Sequence, residues 1–467
     1  MATERRDRPN IILILIDDMG WRDLGCYGSS FYETPNLDRL AAEGMRFTDA
    51  YAACPVCSPT RASILSGKYP ATVGVTNWIG GNARGRLIDA PYIDHLPLEE
   101  TSLAAALRAG GYATWHVGKW HLGGRPYHPD RHGFEVNVAG CGWGHPRKGY
   151  FSPWGIETLA DGPPGEELTD RLTDEAIRLI QQNDGRPFFL NLWHYAVHTP
   201  IQAKEHLVAK YREKAKALGL DRIEALEPGE PFPAEHLKGR RVMRRRLQSH
   251  PVYAALVETL DTNIGRLLDA LAASGQADNT LVLFTSDNGG LATSEGSPTC
   301  NHPLAEGKGW MYEGGVREPL LVRWPGVVAP GSLCRVPVSS PDFYPTLLAA
   351  AGLPPKPEQH VDGVSFLPLL QGAAALEREA LYWHYPHYGN QGGTPGSSIR
   401  LGDYKLIEFF EDGRLELYNL REDEGEAHNL AAVQPDLAAD LQRRLAAWRE
   451  RVGARLPLPN PEYVAPH

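Results

Sequence analysis

The sequence has few cysteines, no long hydrophobic run and no excess of positive charge. Six cysteines in 467 residues are too few for a disulfide-stabilised scaffold. No stretch approaches the roughly 20 apolar residues that a membrane helix requires. Lysine plus arginine number 47 and aspartate plus glutamate number 57, which gives a net charge of −10. That balance argues against nucleic acid or an anionic membrane as the main partner.

The amino-terminal segment lacks the pattern of a secretory signal. Met1 to Pro9 is polar, and the apolar run after it, residues 11–16, ends at Asp17 and Asp18. A signal peptide has a longer apolar region and a small-residue cleavage site. The chain as given is therefore predicted to be cytoplasmic, and periplasmic or secreted only if a signal has been removed.

The composition of the chain is that of an ordinary globular protein, with 42% hydrophobic and 22% charged residues. The β-branched run at residues 11–16 predicts a strand that is buried on both faces. Further predicted strands at residues 113–118, 188–193, 280–285 and 319–324 alternate with helical patterns. This alternation predicts an α/β fold, with a large, mainly parallel or mixed sheet sandwiched by helices.

The chain is predicted to divide near Gly372. Residues 1–372 form a catalytic domain, in which the charge-rich stretch at about 201–250 is interpreted as a solvated insertion or an oligomer contact rather than a patch for an anionic polymer. Residues 373–467 form a C-terminal subdomain. Strand patterns at 381–386, 397–410 and 414–420 and a helical pattern at 434–452 predict a small antiparallel sheet with one helix, followed by a proline-rich tail.

Four polar clusters follow predicted strands of the large sheet: Asp17-Asp18, the segment around Lys119 and His121, the segment around His198, and Asp287-Asn288. Each cluster alone has an ordinary structural explanation, such as helix capping by an aspartate. Open α/β sheets, however, bind ligands at the carboxyl ends of their strands. The aspartates and Asn288 offer only oxygen ligands, which favours a hard cation such as Ca²⁺ or Mg²⁺ over Zn²⁺.

Positive groups accompany the acidic ones. Arg61, Lys119, His121 and Lys308 in one pocket would call for an anionic ligand, and phosphate and sulfate esters both qualify. Cys57 opens a predicted helix, where backbone N–H groups and the helix dipole favour anions and lower a thiol pKa. The residues alone therefore suggest a thiolate nucleophile. Cys54 and Cys57 also form a Cys-x-x-Cys pair, a weaker indication of a redox or zinc site.

Four ordered motifs resemble those of the type I sulfatases of the alkaline phosphatase superfamily, most closely the bacterial arylsulfatases and carbohydrate sulfatases. Residues 57–61 are similar to the family's Cys-x-Pro-x-Arg signature, with Thr60 where many members have Ser or Ala. The other three motifs are residues 118–123, 286–290 and 308–315. The resemblance spans Asn10 to about Asn429.

The resemblance implies that a formylglycine-generating enzyme oxidises Cys57 to Cα-formylglycine. It implies a Ca²⁺ site, with Mg²⁺ less favoured, whose ligands are Asp17, Asp18, Asp287, Asn288 and the modified Cys57. A hydroxyl of the hydrated aldehyde, polarised by Ca²⁺ and Arg61, would attack sulfur. The sulfate would be held by Lys119, His121, His198 and Lys308.

In the same scheme His198 or Lys308 would protonate the leaving alcohol, and His121 would take the proton of the remaining hydroxyl as sulfate leaves. Some members also carry a pocket serine on a mid-chain loop. Residues 140–143 depart from that pattern, so the serine is not identified in this chain.

Substrate residues are predicted from the side chains expected at the mouth of the site. Six aromatic, histidine and amide side chains are candidates for the mouth of the site, with structural packing as the alternative for each: Trp78, His145, Asn301, His302, His384 and His387. The pattern is closest to enzymes that act on galactose or N-acetylgalactosamine sulfates. The predicted partner is a sulfated mono- or oligosaccharide, and the lack of a signal favours small imported sugars.

Three alternatives remain at this point. A phosphodiester or phosphonate monoester hydrolase of the same superfamily shares the Cys-x-Pro-x-Arg motif, but such enzymes often have Asp-His where this chain has Asp287-Asn288. A non-catalytic binder of sulfated glycans would require a lost catalytic group, yet every matched motif position is filled. A redox protein using Cys54 and Cys57 is the third.

Overall fold

The computed structural model describes residues 8–464. The strands are β1 (Asn10–Ile16), β2 (Met45–Tyr51), β3 (Leu87–Ile88), β4 (Ala113–Gly118), β5 (Val136–Val138), β6 (Phe188–Trp193), β7 (Leu226–Pro231), β8 (Arg241–Arg245), β9 (Thr280–Ser286), β10 (Arg317–Arg323), β11 (Ser332–Cys334), β12 (Val338–Ser339), β13 (Leu381–Tyr385), β14 (Gly396–Leu401), β15 (Tyr404–Phe409), β16 (Leu415–Asn419) and β17 (Leu458–Pro459).

The α-helices connect and cover these strands. They are α1 (Pro35–Glu43), α2 (Cys57–Ser66), α3 (Pro70–Val73), α4 (Leu103–Ala109), α5 (Leu168–Gln181), α6 (Glu205–Ala217), α7 (Pro251–Ala273), α8 (Glu313–Val316), α9 (Phe343–Ala350), α10 (Leu367–Leu370) and α11 (Pro435–Arg451). Across residues 8–464, each helix is too short or too polar to cross a bilayer.

The large sheet is mixed, as predicted. Its strand order is β11-β2-β10-β9-β1-β6-β4-β5, and β12 also pairs with β2. The block β9, β1, β6, β4 and β5 is parallel throughout. Strand β10 runs antiparallel to both of its neighbours, β9 and β2. The prediction of a large α/β sheet is thereby confirmed.

Both faces of the sheet are covered, which explains the continuous apolar run of β1. Ile12, Ile14 and Ile16 point into a core formed with α1, α5, α6 and α7. The alternating residues of β1, from Ile11 to Leu15, point into the opposite core, formed with α2, α4 and α9. Successive side chains of a strand face opposite sides of a sheet, so residues 11–16 of β1 are all apolar because helices lie on both sides.

The parallel block places four polar segments at one edge. Strands β1, β4, β6 and β9 end at Ile16, Gly118, Trp193 and Ser286. Because the strands are parallel, the residues that follow them lie along the same edge of the sheet. This arrangement positions the candidate site.

The C-terminal strands β13 to β16 form a separate antiparallel sheet, as predicted, with α11 against it. Trp448 of α11 stacks on Tyr382, with ring centroids 4.8 Å apart. The prediction of one strand over residues 397–410 is wrong, because β14 and β15 form a hairpin that turns at Gly402, whose φ is 60°. The division of the chain near Gly372 into two domains stays a prediction.

The charge-rich stretch at 201–250 contributes to the core. Helix α6 packs on α7 and buries Tyr211 completely. In the β7–β8 hairpin, Arg244 pairs with Glu230 at 2.8 Å and with Glu306 at 2.7 Å. Arg244 is therefore neutralised locally, as is Arg246, which pairs with Glu227 at 3.3 Å. The tail returns to the body through β17, which pairs with β3, and its last three residues, 465–467, lie outside the described chain.

Candidate active site

Cys57 is the first residue of α2 and lies at the floor of a cleft. The side chain is buried, and its Sγ is 3.3 Å from Nδ1 of His121. The other ring nitrogen of His121, Nε2, lies 3.1 Å from the carbonyl oxygen of Ile79. A carbonyl can only accept a hydrogen bond, so Nε2 carries the hydrogen and Nδ1 is left as an acceptor facing residue 57.

Burial decides the protonation of this pair. It raises the pKa of the Cys57 thiol, and the nearby ammonium groups of Lys119 and Lys308 only partly offset it. The expectation of a lowered thiol pKa at the helix start is therefore wrong, because the thiolate loses more from desolvation than it gains from neighbouring charge. Burial also lowers the pKa of His121 well below its ordinary value, which keeps the ring neutral.

The predicted metal ligands form one buried cluster beside Cys57. The backbone N–H of Asp18 donates to Oδ1 of Asp287 at 3.2 Å, and Nδ2 of Asn288 donates to Oδ1 of Asp18 at 2.8 Å. Asp17, Asp287 and Asn288 have no solvent-exposed surface. Asp18 adopts a left-handed backbone, with φ of 65°, a conformation that aspartate tolerates better than most residues. The ends of β1 and β9 thus present their carboxylates to each other.

Three cations balance these acids. Lys119 Nζ lies 2.6 Å from Asp17, Arg61 lies 2.7 Å from Asp287, and Lys308 Nζ lies 2.8 Å from Asp18. Burial raises the pKa of Asp17 well above its ordinary value. At Asp18 burial acts in the same direction, but Lys308 and His198 outweigh it and hold the pKa below its usual range.

Two oxygen atoms of the cluster have no hydrogen-bond donor among the described residues. Oδ1 of Asp17 and Oδ1 of Asn288 are buried and accept no hydrogen bond from any described residue. Leaving a buried polar atom unsatisfied costs about 1–3 kcal/mol. A cation bound to these oxygens would remove that cost, and a set of carboxylate and amide oxygens suits Ca²⁺ or Mg²⁺. The residues present therefore fit a hard cation.

The cleft above Cys57 has a volume of about 690 Å³. Of the residues predicted from the sequence, Cys57, His121, His198 and Lys308 line its floor, and Trp78 and His145 line its walls. Thr199, which belongs to the predicted segment around His198, also lines the wall, whereas sequence reasoning missed the wall residues Arg147, Glu295, Asn390 and Gln391. They lie in irregular loops, where no periodicity or motif indicated their position.

Four predicted substrate residues lie away from the cleft lining. Asn301 donates to the carbonyl oxygens of Gly290 and Glu306, and His302 is exposed elsewhere. The buried rings of His384 and His387 bond to Ser397 at 2.7 Å and Thr76 at 2.9 Å, respectively. The geometry therefore does not support substrate contacts by these four side chains. It supports structural roles for the buried three.

Comparison with known proteins identifies the family. The Sulfatase family model matches residues 9–353, and the model "N-sulphoglucosamine sulphohydrolase, C-terminal" matches residues 305–451. Among curated proteins, a sulfatase of Formosa agariphila is 34% identical, over 95% of this chain and 89% of its own length. The human N-acetylgalactosamine-6-sulfatase is 35% identical, over 80% of this chain and 68% of its own.

Solved structures agree with the sequence matches. The crystal structure of Ps i-CgsB superposes with a TM-score of 0.75 and 30% identity, covering 95% of this chain and 93% of that one. The same protein has been solved in complex with k-i-k-neocarrahexaose, with the same TM-score of 0.75. The chain is a sulfatase and belongs to the type I sulfatase family of the alkaline phosphatase superfamily.

Proposed function

We propose that this sulfatase releases inorganic sulfate from a sulfated carbohydrate, with residue 57 as formylglycine and Ca²⁺ in the acidic cluster. The observation that carries the proposal is the position of Cys57. It lies at the cleft floor, in contact with His121, with the buried carboxylates and their cations around it. An unmodified thiol whose pKa is raised by burial is a poor nucleophile at neutral pH. Conversion to formylglycine supplies, after hydration, a hydroxyl nucleophile at the same place.

The metal site is proposed from the donor set. Asp17, Asp18, Asp287 and Asn288 would hold Ca²⁺, and Mg²⁺ is the less favoured occupant. When bound, the cation supplies Lewis acidity that makes a hydroxyl at residue 57 more acidic. Arg61 orients the cluster, because its guanidinium holds Asp287 at 2.7 Å and donates to the carbonyl oxygen of Lys119 at 3.2 Å.

The sulfate ester is held by positive and neutral donors. Lys308 and His198 line the cleft directly, and Lys119 lies behind them against Asp17. Donors fixed by buried ion pairs are already oriented before the substrate arrives, and preorganised groups of this kind contribute strongly to catalysis. Lys308 or His198 gives a proton to the leaving sugar oxygen, and Nδ1 of His121 accepts a proton from residue 57.

The carbohydrate class is proposed from the relatives and from the cleft. One relative is named as an N-acetylgalactosamine-6-sulfatase, and one solved structure is a complex with k-i-k-neocarrahexaose. The cleft combines an aromatic ring, Trp78, with polar side chains such as His145 and Gln391, which suits the faces and hydroxyls of a sugar. Sulfated galactose or N-acetylgalactosamine, as a mono- or oligosaccharide, is the proposed substrate.

The test measures sulfate release. The protein is co-expressed with a formylglycine-generating enzyme, and peptide mass confirms conversion of Cys57. Free sulfate is then measured by ion chromatography over a panel of sulfated mono- and disaccharides, with a Cys57→Ala variant as control. Release from a sugar sulfate by the converted protein, and none by the variant, supports the proposal. If the converted protein releases no sulfate from any sugar but cleaves phosphonate monoesters or phosphodiesters, the proposal fails.

A further inference from the structure

Arg147 is an exposed cation on the cleft wall that has no acidic partner. Among residues 8–464 it makes no ion pair within 4.0 Å and no side-chain hydrogen bond. Its Cζ lies 4.8 Å from the ring centroid of Trp143, which limits where the guanidinium can lie. By contrast, Lys308 on the floor and the buried Lys119 and Arg61 behind it each hold a carboxylate of the acidic cluster. Arg147 therefore presents unused donors to whatever fills the cleft.

The loop that carries Arg147 is packed directly on the catalytic floor. A Cβ at Gly144 would lie 2.5 Å from Cε1 of His121, so glycine is needed where the loop crosses that ring. The next residue, His145, lies parallel to His198, with ring centroids 6.0 Å apart. These contacts hold the loop next to two residues of the floor, so Arg147 projects from a segment packed on the proposed catalytic residues.

A second part of the rim is negative. Glu295 lines the same cleft, and Gln391 donates to its Oε1 at 2.7 Å. Thr199 holds the other carboxylate oxygen at 3.4 Å. A carboxylate positioned this way accepts hydrogen bonds from hydroxyl or amide donors and repels anions. The rim is therefore polarised, with an anion favoured at Arg147 and a neutral donor favoured at Glu295.

We propose that Arg147 forms a second anion subsite, so that the preferred substrate carries another anionic group, a sulfate or a carboxylate, besides the sulfate that is cleaved. Glu295 accepts a hydrogen bond from a hydroxyl or amide of the same sugar chain. The inference rests on the proposed function and narrows it from sulfated carbohydrates to doubly anionic ones. Arginine suits both groups, because its planar donors bind sulfate and carboxylate in a bidentate manner.

The kinetic test compares three disaccharides that share the scissile sulfate. One carries no other charge, one carries a second sulfate, and one carries a uronic acid carboxylate. We expect kcat/KM to be about tenfold higher for at least one doubly anionic sugar, the size expected of one charge-assisted hydrogen bond. Arg147→Gln should lower kcat/KM for the doubly anionic sugar about tenfold more than for the singly charged one, and so remove that preference. Lys148→Gln, a neighbouring exposed residue outside the cleft lining, should leave it intact.

A binding measurement separates this inference from the proposed function. Titration calorimetry of the Cys57→Ala variant with the same three sugars reports affinity without turnover, with and without Arg147→Gln. Tighter binding of a doubly anionic sugar that requires Arg147 supports the subsite even if no sugar sulfate is hydrolysed. Equal affinity for all three sugars, or a preference that survives Arg147→Gln, would overturn it. Arg147→Lys keeps the charge without the bidentate geometry and should retain part of the preference.

Discussion

Lys308 Nζ lies 3.0 Å from Nε2 of His198. The other ring nitrogen of His198, Nδ1, lies 2.8 Å from the carbonyl oxygen of Thr199, so Nδ1 carries the hydrogen and Nε2 accepts from Lys308. Burial lowers the pKa of His198 well below its ordinary value. At Lys308 burial opposes the charge, but Asp18 outweighs it and raises the pKa of the ammonium group. Lys308 therefore donates the hydrogen bond of the pair, and it is the group of the two that carries a proton facing the cleft.

The donor role of Lys308 can be tested by changing the leaving group. We expect Lys308→Gln to lower kcat on a sugar sulfate by about 10²–10⁴-fold, the range for loss of a general acid. The loss on an aryl sulfate should be far smaller, because a phenolate leaves without protonation. His198→Gln should reduce both rates by similar factors. If His198→Gln alone shows the leaving-group dependence, then His198 is the acid.

His121 should be needed for turnover but not for maturation. His121→Gln removes the acceptor nitrogen that faces residue 57, so kcat should fall by about 10²–10⁴-fold, while peptide mass still shows conversion of Cys57. His206→Gln, an exposed position on α6, is the matched control and should keep full activity. Unchanged kcat in fully converted His121→Gln would contradict the role given to Nδ1.

Cation binding should stabilise the protein. The unpartnered oxygens of Asp17 and Asn288 gain a partner when Ca²⁺ binds, and ligand at one hundred times its Kd adds about 2.7 kcal/mol to the free energy of unfolding. We expect a higher melting temperature in Ca²⁺ than in EDTA, with the difference lost in Asp17→Asn. A shift produced by Zn²⁺ but not by Ca²⁺ or Mg²⁺ would exclude the proposed hard-cation site.

A buried ion-pair cluster joins the C-terminal sheet to the motif at residues 308–315. Lys405 Nζ lies 2.9 Å from Glu313 and 3.0 Å from Glu426, and the side chains of all three are fully buried. Lys405→Met should lower the free energy of unfolding by about 3–5 kcal/mol, because buried Glu426 loses its counter-charge and Glu313 is left with the more distant Arg317, at 3.7 Å. Breaking the exposed pair of Arg39 and Asp269 with Arg39→Ala should cost less than about 1 kcal/mol. Chemical denaturation measures the unfolding free energy of both variants. Similar losses of free energy in the two would contradict a stabilising role for the Lys405 cluster.

Asp261 should make stability depend on pH. Its carboxylate accepts hydrogen bonds from the backbone N–H groups of Asn36 at 3.2 Å and Leu37 at 2.8 Å, and so caps α1 from α7. Burial raises the pKa of Asp261 from 3.8 to about 6. The folded state therefore holds this proton more tightly, and the associated stability is lost as the pH rises from about 4 to about 6.

The variant Asp261→Asn isolates this effect. It weakens the cap, which costs about 1 kcal/mol, and removes the titrating group. We expect its deficit in unfolding free energy relative to the parent protein to shrink between pH 4 and pH 6, as measured by urea denaturation. A deficit that stays constant or grows over this interval would show that the pKa of Asp261 is not raised in the folded state.

The elements nearest to the site could be predicted because their patterns are unambiguous. Strands β1, β4, β6 and β9 are short apolar runs, and each is followed by a charged motif. Strand β2 was not predicted, because polar residues such as Arg46 and Asp49 interrupt it and its burial comes from pairing with β10. Such pairing is set by distant residues and leaves little local signal.

Predictions from local sequence were wrong where burial sets a pKa or where long-range contacts set the direction of a side chain. The start of α2 favours a low thiol pKa for Cys57 by position, but the surrounding protein removes solvent and reverses the direction. His384 and His387 look like sugar ligands in the sequence, yet tertiary contacts direct both rings inward. The cleft walls come from loops such as the one that carries Glu295, whose course is fixed by packing.

Burial of Cys57 also orders the events of biosynthesis. The residue is 3% exposed and lies at the bottom of a cleft whose floor includes Lys308, 251 positions later in the sequence. Under the proposed function a separate enzyme must reach this thiol. In the folded protein the thiol is buried at the start of α2, where that enzyme could not bind it in an extended segment. Oxidation must therefore take place on the nascent or unfolded chain. A chain that folds before oxidation keeps an unmodified, inactive thiol. The specific activity of a preparation therefore depends on the fraction of chains that are oxidised at residue 57 before they fold.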